Sequence, residues 1–171
     1  LSGPLNIPAF ARSLQTIVQR HESLRTTFKT VKGKPLQVIA PTVAMDLAVV
    51  DLRSLPSSTR ENEARYLAMQ ASQHSFNLAQ GPLFQSSLLQ LSETDYVVLF
   101  NIHHIISDQW SIGVLSHELT TFYEAFSQGK SITLPELPIQ YADFAHWQRQ
   151  WLHEATVEPE PSLYDRQLKY W

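Results

Sequence analysis

The chain has 171 residues, of which 43% are hydrophobic and 17% charged, with a formal net charge of −3 and no cysteine. A chain of this length buries a core without disulfides, and the lack of Cys excludes a thiol nucleophile. The few Lys and Arg form no basic stripe, and the uncharged run 96–107 is shorter than the roughly 18 residues that span a bilayer, so we expect a soluble, cytoplasmic protein without nucleic-acid or membrane partners.

The first part of the chain predicts a helix followed by a β-hairpin. Asn6 is a favourable N-cap, and apolar residues then repeat on one helical face up to about His21. Two β-prone runs, 24–31 and 36–39, flank Gly33, which tolerates the positive φ of a tight turn. We therefore predict one amphipathic helix and one hairpin.

The middle of the chain predicts a second helix and a second hairpin. Residues 58–61, Ser-Thr-Arg-Glu, match a capping box, and the apolar stripe after them reaches about His74. Beyond the break at Gly81-Pro82, the runs 83–91 and 96–102 have strand character. Because the run 96–102 is almost continuously apolar, we predict a central strand that is covered on both faces.

Three further helices are predicted after the second hairpin. Apolar residues repeat at helical spacing over 111–128, and aromatic residues do so over 141–151. A last helix begins at Leu163. Helices and strands interleave without a repeat or a second domain. The fold class is therefore α/β, of the α+β sandwich kind, with a mixed sheet flanked by helices.

Two adjacent histidines, His103 and His104, end the apolar strand and carry the clearest chemical signal. Neighbouring residues of a strand point to opposite faces, so the two imidazoles and Asp108 should not converge on a metal ion. A single imidazole with a pKa near neutrality can act as an acid or a base at a strand end. The alternative is that both residues are polar caps of a strand. We expect no metal.

The run from His103 to Ser111 resembles the His-His-x-x-x-Asp-Gly signature of condensation domains in nonribosomal peptide synthetases, relatives of chloramphenicol acetyltransferase. Gln109 stands where the family has Gly. The run 20–28, Arg-His-Glu-Ser-Leu-Arg-Thr-Thr-Phe, resembles the family's second motif, and 141–147, Tyr-Ala-Asp-Phe-Ala-His-Trp, its fourth. The resemblance implies that residues 1–171 form most of the N-terminal lobe, without the first motif and the C-terminal lobe.

The resemblance also implies a role for individual residues. His104 would face the reaction centre as the catalytic residue, and His103 would be structural. Asp108 would be held by an ion pair with Arg25 and would shape the loop. The alternative for Arg25 is a solvated side chain at the start of a strand. Three more residues are expected at the substrate channel: Gln109, Trp110 and Ser111. At position 109, either the backbone accepts Gln or the site is impaired, since Gly would allow a positive φ.

The activity that the resemblance implies is peptide-bond formation in secondary metabolism, such as antibiotic biosynthesis. The α-amine of an acceptor aminoacyl thioester attacks a donor aminoacyl or peptidyl thioester. Both are carried on phosphopantetheine arms of upstream and downstream carrier domains, and the domain binds no cofactor of its own. The chain alone, without the C-terminal lobe, is expected to be inactive. Alternatives are a non-catalytic carrier-docking module, an epimerisation domain and a free acyltransferase with the same His motif.

Overall fold

The computed structural model describes residues 1–153 and 162–171, which fall into two compact units, Leu1–Leu134 and Pro135–Trp171. The first unit contains, in chain order, α1 (Ile7–Arg20), a 3-10 turn (Glu22–Arg25), β1 (Thr26–Val31), β2 (Lys34–Ile39), β3 (Leu47–Asp51), α2 (Ser57–Ser72), β4 (Phe84–Gln90), β5 (Tyr96–Ile102) and α3 (Gln109–Ser127). The second contains α4 (Tyr141–His153) and α5 (Leu163–Tyr170). Within the described residues, no helix combines the length and apolar character needed to cross a membrane.

The main core forms where α1 packs on α3. Asn6 caps α1, since its side chain accepts the N–H of Ala9 at 3.1 Å, as the sequence predicts. Apolar side chains from both helices and from β4 fill the space between them. The buried members of this cluster are Ala9, Phe10, Leu14, Ile17, Val18, Phe84, Leu115, Phe122 and Phe126.

The first predicted hairpin is confirmed. Strands β1 and β2 pair antiparallel around Lys32 and Gly33, which both have positive φ, 52° and 77°. The first strand begins at Thr26 rather than Leu24, because the preceding residues form the 3-10 turn. The β-prone run 24–31 therefore contains the end of the 3-10 turn as well as β1.

The second sheet has the order β3-β4-β5, with β3 parallel to β4 and β4 antiparallel to β5. Strand β3 was not predicted. The prediction that 96–102 is the central strand is wrong for the described residues. Strand β4 is central and largely buried, whereas β5 lies at the edge and is mostly half-exposed. Six of the seven residues of β5 are apolar, but Tyr96 is the one of them that is buried.

The predicted capping box at residues 58–61 does not form. Helix α2 begins at Ser57, so its N-cap is Pro56 rather than Ser58, and Pro56 has no side chain that can accept a hydrogen bond. The Arg60 guanidinium instead donates to the carbonyl oxygens of Arg53, Leu55 and Leu91. The hydrogen bonds of Arg60 therefore connect the start of α2 to the loop before it and to the residue that follows β4.

The aromatic helix of the second unit is confirmed as α4. At its start, the N–H of Gln140 donates to Asp143 Oδ2 at 2.8 Å, so Asp143 helps to cap the helix. The rings of Trp147 and Trp151 stack 5.8 Å apart, and both side chains are about half exposed. Helix α4 thus has a mainly aromatic face that remains about half exposed.

Candidate active site at the end of β5

The two histidines lie in the turn that joins β5 to α3. Strand β5 ends at Ile102, one residue before His103, so the alternation of strand side chains does not apply to this pair. The two side chains nevertheless have different surroundings. His103 is half-buried and His104 is exposed. The turn, rather than the strand pleat, separates their roles.

The side chain and backbone of His103 organise this turn. Its Nδ1 accepts the N–H of Ile105 at 3.0 Å, so the Nδ1 atom carries no proton in this arrangement. Its backbone N–H donates to Leu83 O at 2.9 Å, and its carbonyl accepts from Ile106 at 3.1 Å. These contacts support the structural role that the sequence assigns to His103.

The imidazole of His104 makes no hydrogen bond within residues 1–153 or 162–171. Both ring nitrogens are therefore accessible to solvent or to a ligand. Such a group can accept or deliver a proton without first breaking a bond to the protein. Of the two histidines, His104 is the one available for chemistry.

Asp108 caps the helix that follows. Its Oδ1 accepts the backbone N–H of Ser111 at 2.8 Å and the Ser111 hydroxyl at 2.6 Å. The Ser111 Oγ in turn lies 3.3 Å from the backbone nitrogen of Asp108, which completes a capping box. These bonds, led by that of the Ser111 hydroxyl, lower the pKa of Asp108, and the nearby His104 lowers it further. Asp108 thus fixes the start of α3 close to His104.

The predicted ion pair between Arg25 and Asp108 does not form. Arg25 lies in the 3-10 turn, where its guanidinium donates to Ala40 O and lies 3.4 Å from the carboxylate of Glu22 three residues earlier. Asp108 directs its oxygen to its own helix terminus instead. Arg25 is thus engaged by its own turn and by the end of the first hairpin, and Asp108 by the start of α3. Arg25 supports the second motif rather than the His104 loop.

The residue at position 109 fits the backbone. Gln109 is the first residue of α3, and Lys32 is the non-glycine residue with positive φ in the described part of the chain. The structure therefore requires no glycine at position 109. Trp110 is 83% exposed beside it, whereas the hydroxyl of Ser111 points back to Asp108. Two of the three predicted channel residues thus face outward.

A buried carboxylate on α3 was missed by the sequence analysis. Glu118 is 6% exposed, and its oxygens lie 3.0 Å from Arg20 Nε and 2.7 Å from His21 Nε2. The available signal was an acidic residue among the apolar repeats of a predicted helix, together with two basic residues at the end of another. This cluster joins the second motif to the helix that starts at the candidate site.

No group of three or more His, Asp or Glu side chains in residues 1–153 and 162–171 could hold a metal ion. The candidate site consists of one accessible imidazole, His104, a structural imidazole, His103, and a capped helix start at Asp108. This arrangement suits proton transfer to or from a bound substrate.

Comparison with known proteins identifies the class. The profile of the family described as "Condensation domain" matches residues 1–171. One of the linear gramicidin synthase proteins of Brevibacillus parabrevis is 47% identical over 171 residues, which are 100% of this chain and 2% of that protein. The chain belongs to the condensation domain family of nonribosomal peptide synthetases.

Solved structures show the same fold. The X-domain in its complex with OxyB from teicoplanin biosynthesis has a TM-score of 0.85 at 26% identity, covering 99% of this chain and 35% of that chain. The starter condensation domain of rhizomide synthetase RzmA has a TM-score of 0.79 at 21% identity, covering 88% of this chain and 36% of that chain. The fold is that of a chloramphenicol acetyltransferase-like lobe, and the chain spans about a third of the length of these structures.

Proposed function

We propose that the protein containing this chain forms the amide bond of a nonribosomal peptide. The donor is an aminoacyl or peptidyl thioester and the acceptor is the α-amine of an aminoacyl thioester. The observation that carries the proposal is the free imidazole of His104, held between the His103 turn and the Asp108-capped helix. Membership of the condensation domain family and the likeness to linear gramicidin synthase support it.

The chemistry requires the removal of one proton. The amine nitrogen attacks the thioester carbonyl and a C–N bond forms; the C–S bond then breaks, and the donor sulfur leaves as a thiolate that takes up the proton lost by the amine. An α-amine has a pKa of about 7.7 to 8.0, so much of it is neutral near pH 7 before attack. The attached nitrogen then becomes acidic, and His104 accepts its proton or orients the attacking amine. A positioned base of this kind contributes roughly 10² to 10⁴ in rate.

The substrates are proposed to arrive on phosphopantetheine arms of carrier domains, one upstream and one downstream. Positioning the two thioesters against each other supplies much of the remaining barrier reduction. The chain needs no cofactor of its own for this step, because the thioester already activates the carbonyl.

The test is a reconstituted assay with the full-length parent protein, loaded donor carrier and loaded acceptor carrier. The proposal predicts a new amide on the acceptor carrier and an unloaded donor carrier, both detected by mass spectrometry. Release of free acid without amide, or inversion of the donor stereocentre alone, would contradict it. The second result would indicate the epimerisation alternative.

A second candidate is a non-catalytic docking module. The solved X-domain that resembles this chain is in a complex with another protein, OxyB. In that case the parent protein would bind loaded carriers and leave both thioesters intact. The same assay distinguishes the two functions, because a docking module gives binding without amide formation.

A further inference from the structure

A short segment after α2 contacts the turn that carries the two histidines. The ring of Phe76 meets that of His103 edge to face, with centroids 5.9 Å apart and an interplanar angle of 78°. Phe76 also meets His74 edge to face, at 5.1 Å and 83°. Phe76 is half-buried, so this contact is a packed one rather than a chance encounter at the surface.

Two hydrogen bonds fix this segment to the sheet. Asn101 on β5 donates from its side-chain nitrogen to Ala71 O at 2.7 Å, at the end of α2. The amide group of Gln85 on β4 lies 3.3 Å from His74 Nε2. Gln85 and Asn101 are direct partners in the β4–β5 register, next to the pair that ends β5. The chain that leads from α2 to Phe76 is therefore held to the sheet immediately before His103.

The orientation of the His103 ring controls the backbone around His104. Only Nδ1 accepts the N–H of Ile105, the residue after His104, and the amide of His103 itself is fixed on Leu83 O. A half-turn of the imidazole would place a carbon where Nδ1 now lies and would break the bond to Ile105. The backbone of His104 is thus held on both sides by bonds of His103.

We propose that Phe76 is a positioning residue for His104, acting through the ring of His103. The inference rests on the proposed function of His104 as the group that handles the amine proton. Among the described residues, the ring contact of Phe76 on this turn is with His103 rather than with His104. Its effect passes through the orientation of one imidazole and the single hydrogen bond that this orientation permits.

The test uses four substitutions in the full-length parent protein, with Phe76→Leu also combined with His103→Asn, in the two-carrier assay. Phe76→Leu removes the ring edge, and Phe76→Tyr keeps it. Phe122→Leu is the matched control, because Phe122 stacks on Phe126 in the core, 13 residues into α3 from Gln109 and roughly 20 Å along the helix. His103→Asn removes the ring but retains a side-chain acceptor.

We expect Phe76→Leu to lower kcat by roughly tenfold to a hundredfold, with KM for both loaded carriers unchanged, because a small displacement of a reacting group has an effect of that size. Phe76→Tyr should restore kcat to within about twofold. Phe122→Leu should lower the melting temperature but leave kcat per folded molecule intact. In the His103→Asn background, Phe76→Leu should have no further effect on kcat, since its route through the ring is already lost.

A wild-type kcat in soluble Phe76→Leu would overturn the inference, and so would equal losses of kcat per folded molecule in Phe76→Leu and Phe122→Leu. If Phe76→Leu does not fold, Phe76→Met, which also lacks the ring, takes its place: a loss of kcat that is equal in the wild-type and His103→Asn backgrounds overturns the route through His103, and a loss that disappears in the His103→Asn background supports it. An active wild type with an inactive His104→Ala and a fully active Phe76→Leu would remove this inference alone. A wild type that forms no amide would remove the proposed function with it.

Discussion

At the scale of single residues, a buried charge cluster lies away from the candidate site. The carboxylate of Glu118 is inside the α1–α3 interface, where Arg20 and His21 approach one oxygen each. A buried carboxylate is stable only when such partners replace its lost hydration. Arg20 and His21 of the second motif therefore have a structural role: from the end of α1 they stabilise the buried carboxylate of Glu118 on α3.

Replacing Glu118 by Gln should lower the free energy of unfolding by about 2 to 4 kcal/mol. The substitution keeps the volume but leaves Arg20 and His21 facing a neutral amide. Denaturant unfolding of the chain measures the loss. Glu124→Gln, at an exposed carboxylate of the same helix, is the control and should change stability little. Equal losses in both variants would mean that the Glu118 cluster does not stabilise the interface.

Asp108 gives a prediction for acid conditions. Its pKa is lowered below the usual 3.8 in the folded chain by the bonds to Ser111. The stabilisation is therefore complete above about pH 4 and is lost as the pH falls through the folded pKa. Asp108→Asn keeps a capping side chain but does not titrate. The melting temperatures of the wild type and Asp108→Asn should differ at pH 7 and converge as the pH approaches 2.

A constant difference between the two melting curves across this range would show that the charge of Asp108 adds nothing to its cap. Since Asp108 is exposed and is not paired with Arg25, its replacement should not cause the large loss of stability expected of a buried ion pair.

The sequence predicted most of the candidate site, but not its contacts. The type and order of His103, His104 and Asp108 were enough to single out the loop, because few residue types transfer protons near neutral pH. The partner of Arg25 was not predictable, since Glu22 and Ala40 O compete for it at distances that only the fold determines. The buried Glu118 was missed for the same reason.

At the scale of elements, prediction succeeded where a pattern is local. Helix α1 has both an N-cap and a long apolar stripe, and the first hairpin has a turn that Gly33 permits. Strand β3 has neither signal, because only five residues pair and its side chains are partly exposed without strict alternation. Its strand conformation comes from parallel pairing with β4, about 40 residues away in the chain.

The junction between the first hairpin and β4 offers a test of this packing. Gly81 has a φ of 63°, and a Cβ there would lie 2.9 Å from Thr27 Cγ2 on β1. Gly81→Ala should therefore lower the free energy of unfolding by about 2 to 3 kcal/mol, from the left-handed backbone and the steric overlap together. Thermal or denaturant unfolding measures it.

Gly33→Ala is the matched control for this substitution. Gly33 has a φ of 77°, but a Cβ at this position would have no atom within 4 Å. Only the backbone penalty of about 1 kcal/mol applies there. If both alanine variants lost the same stability, the contact between Gly81 and β1 would not constrain the fold.

At the scale of the whole molecule, the chain spans about a third of the solved structures that it resembles. His104 is exposed, and the residues that face outward around it include Gln109 and Trp110. A reaction between two tethered substrates needs walls that hold both and exclude water. We therefore expect the remaining lobe of the parent protein to supply the opposite side of the site.

The 171-residue chain alone should form no detectable amide from loaded donor and acceptor carriers, whereas the full-length parent should. The exposed aromatic face of α4, including Trp147 and Trp151, should also make the isolated chain self-associate with increasing concentration. Mass spectrometry measures the product and sedimentation the association. Equal product from the two proteins would show that one lobe suffices.

The central claim is that His104 is the proton-handling group of an amide-forming site. The most direct measurement is the single-turnover rate of amide formation by the full-length parent protein carrying His104→Ala, with both carriers loaded and the loading confirmed by mass spectrometry. We predict a loss of roughly 10² to 10⁴ in this rate, with unchanged carrier loading and melting temperature. A His104→Ala protein that forms the amide at the wild-type rate would contradict the claim.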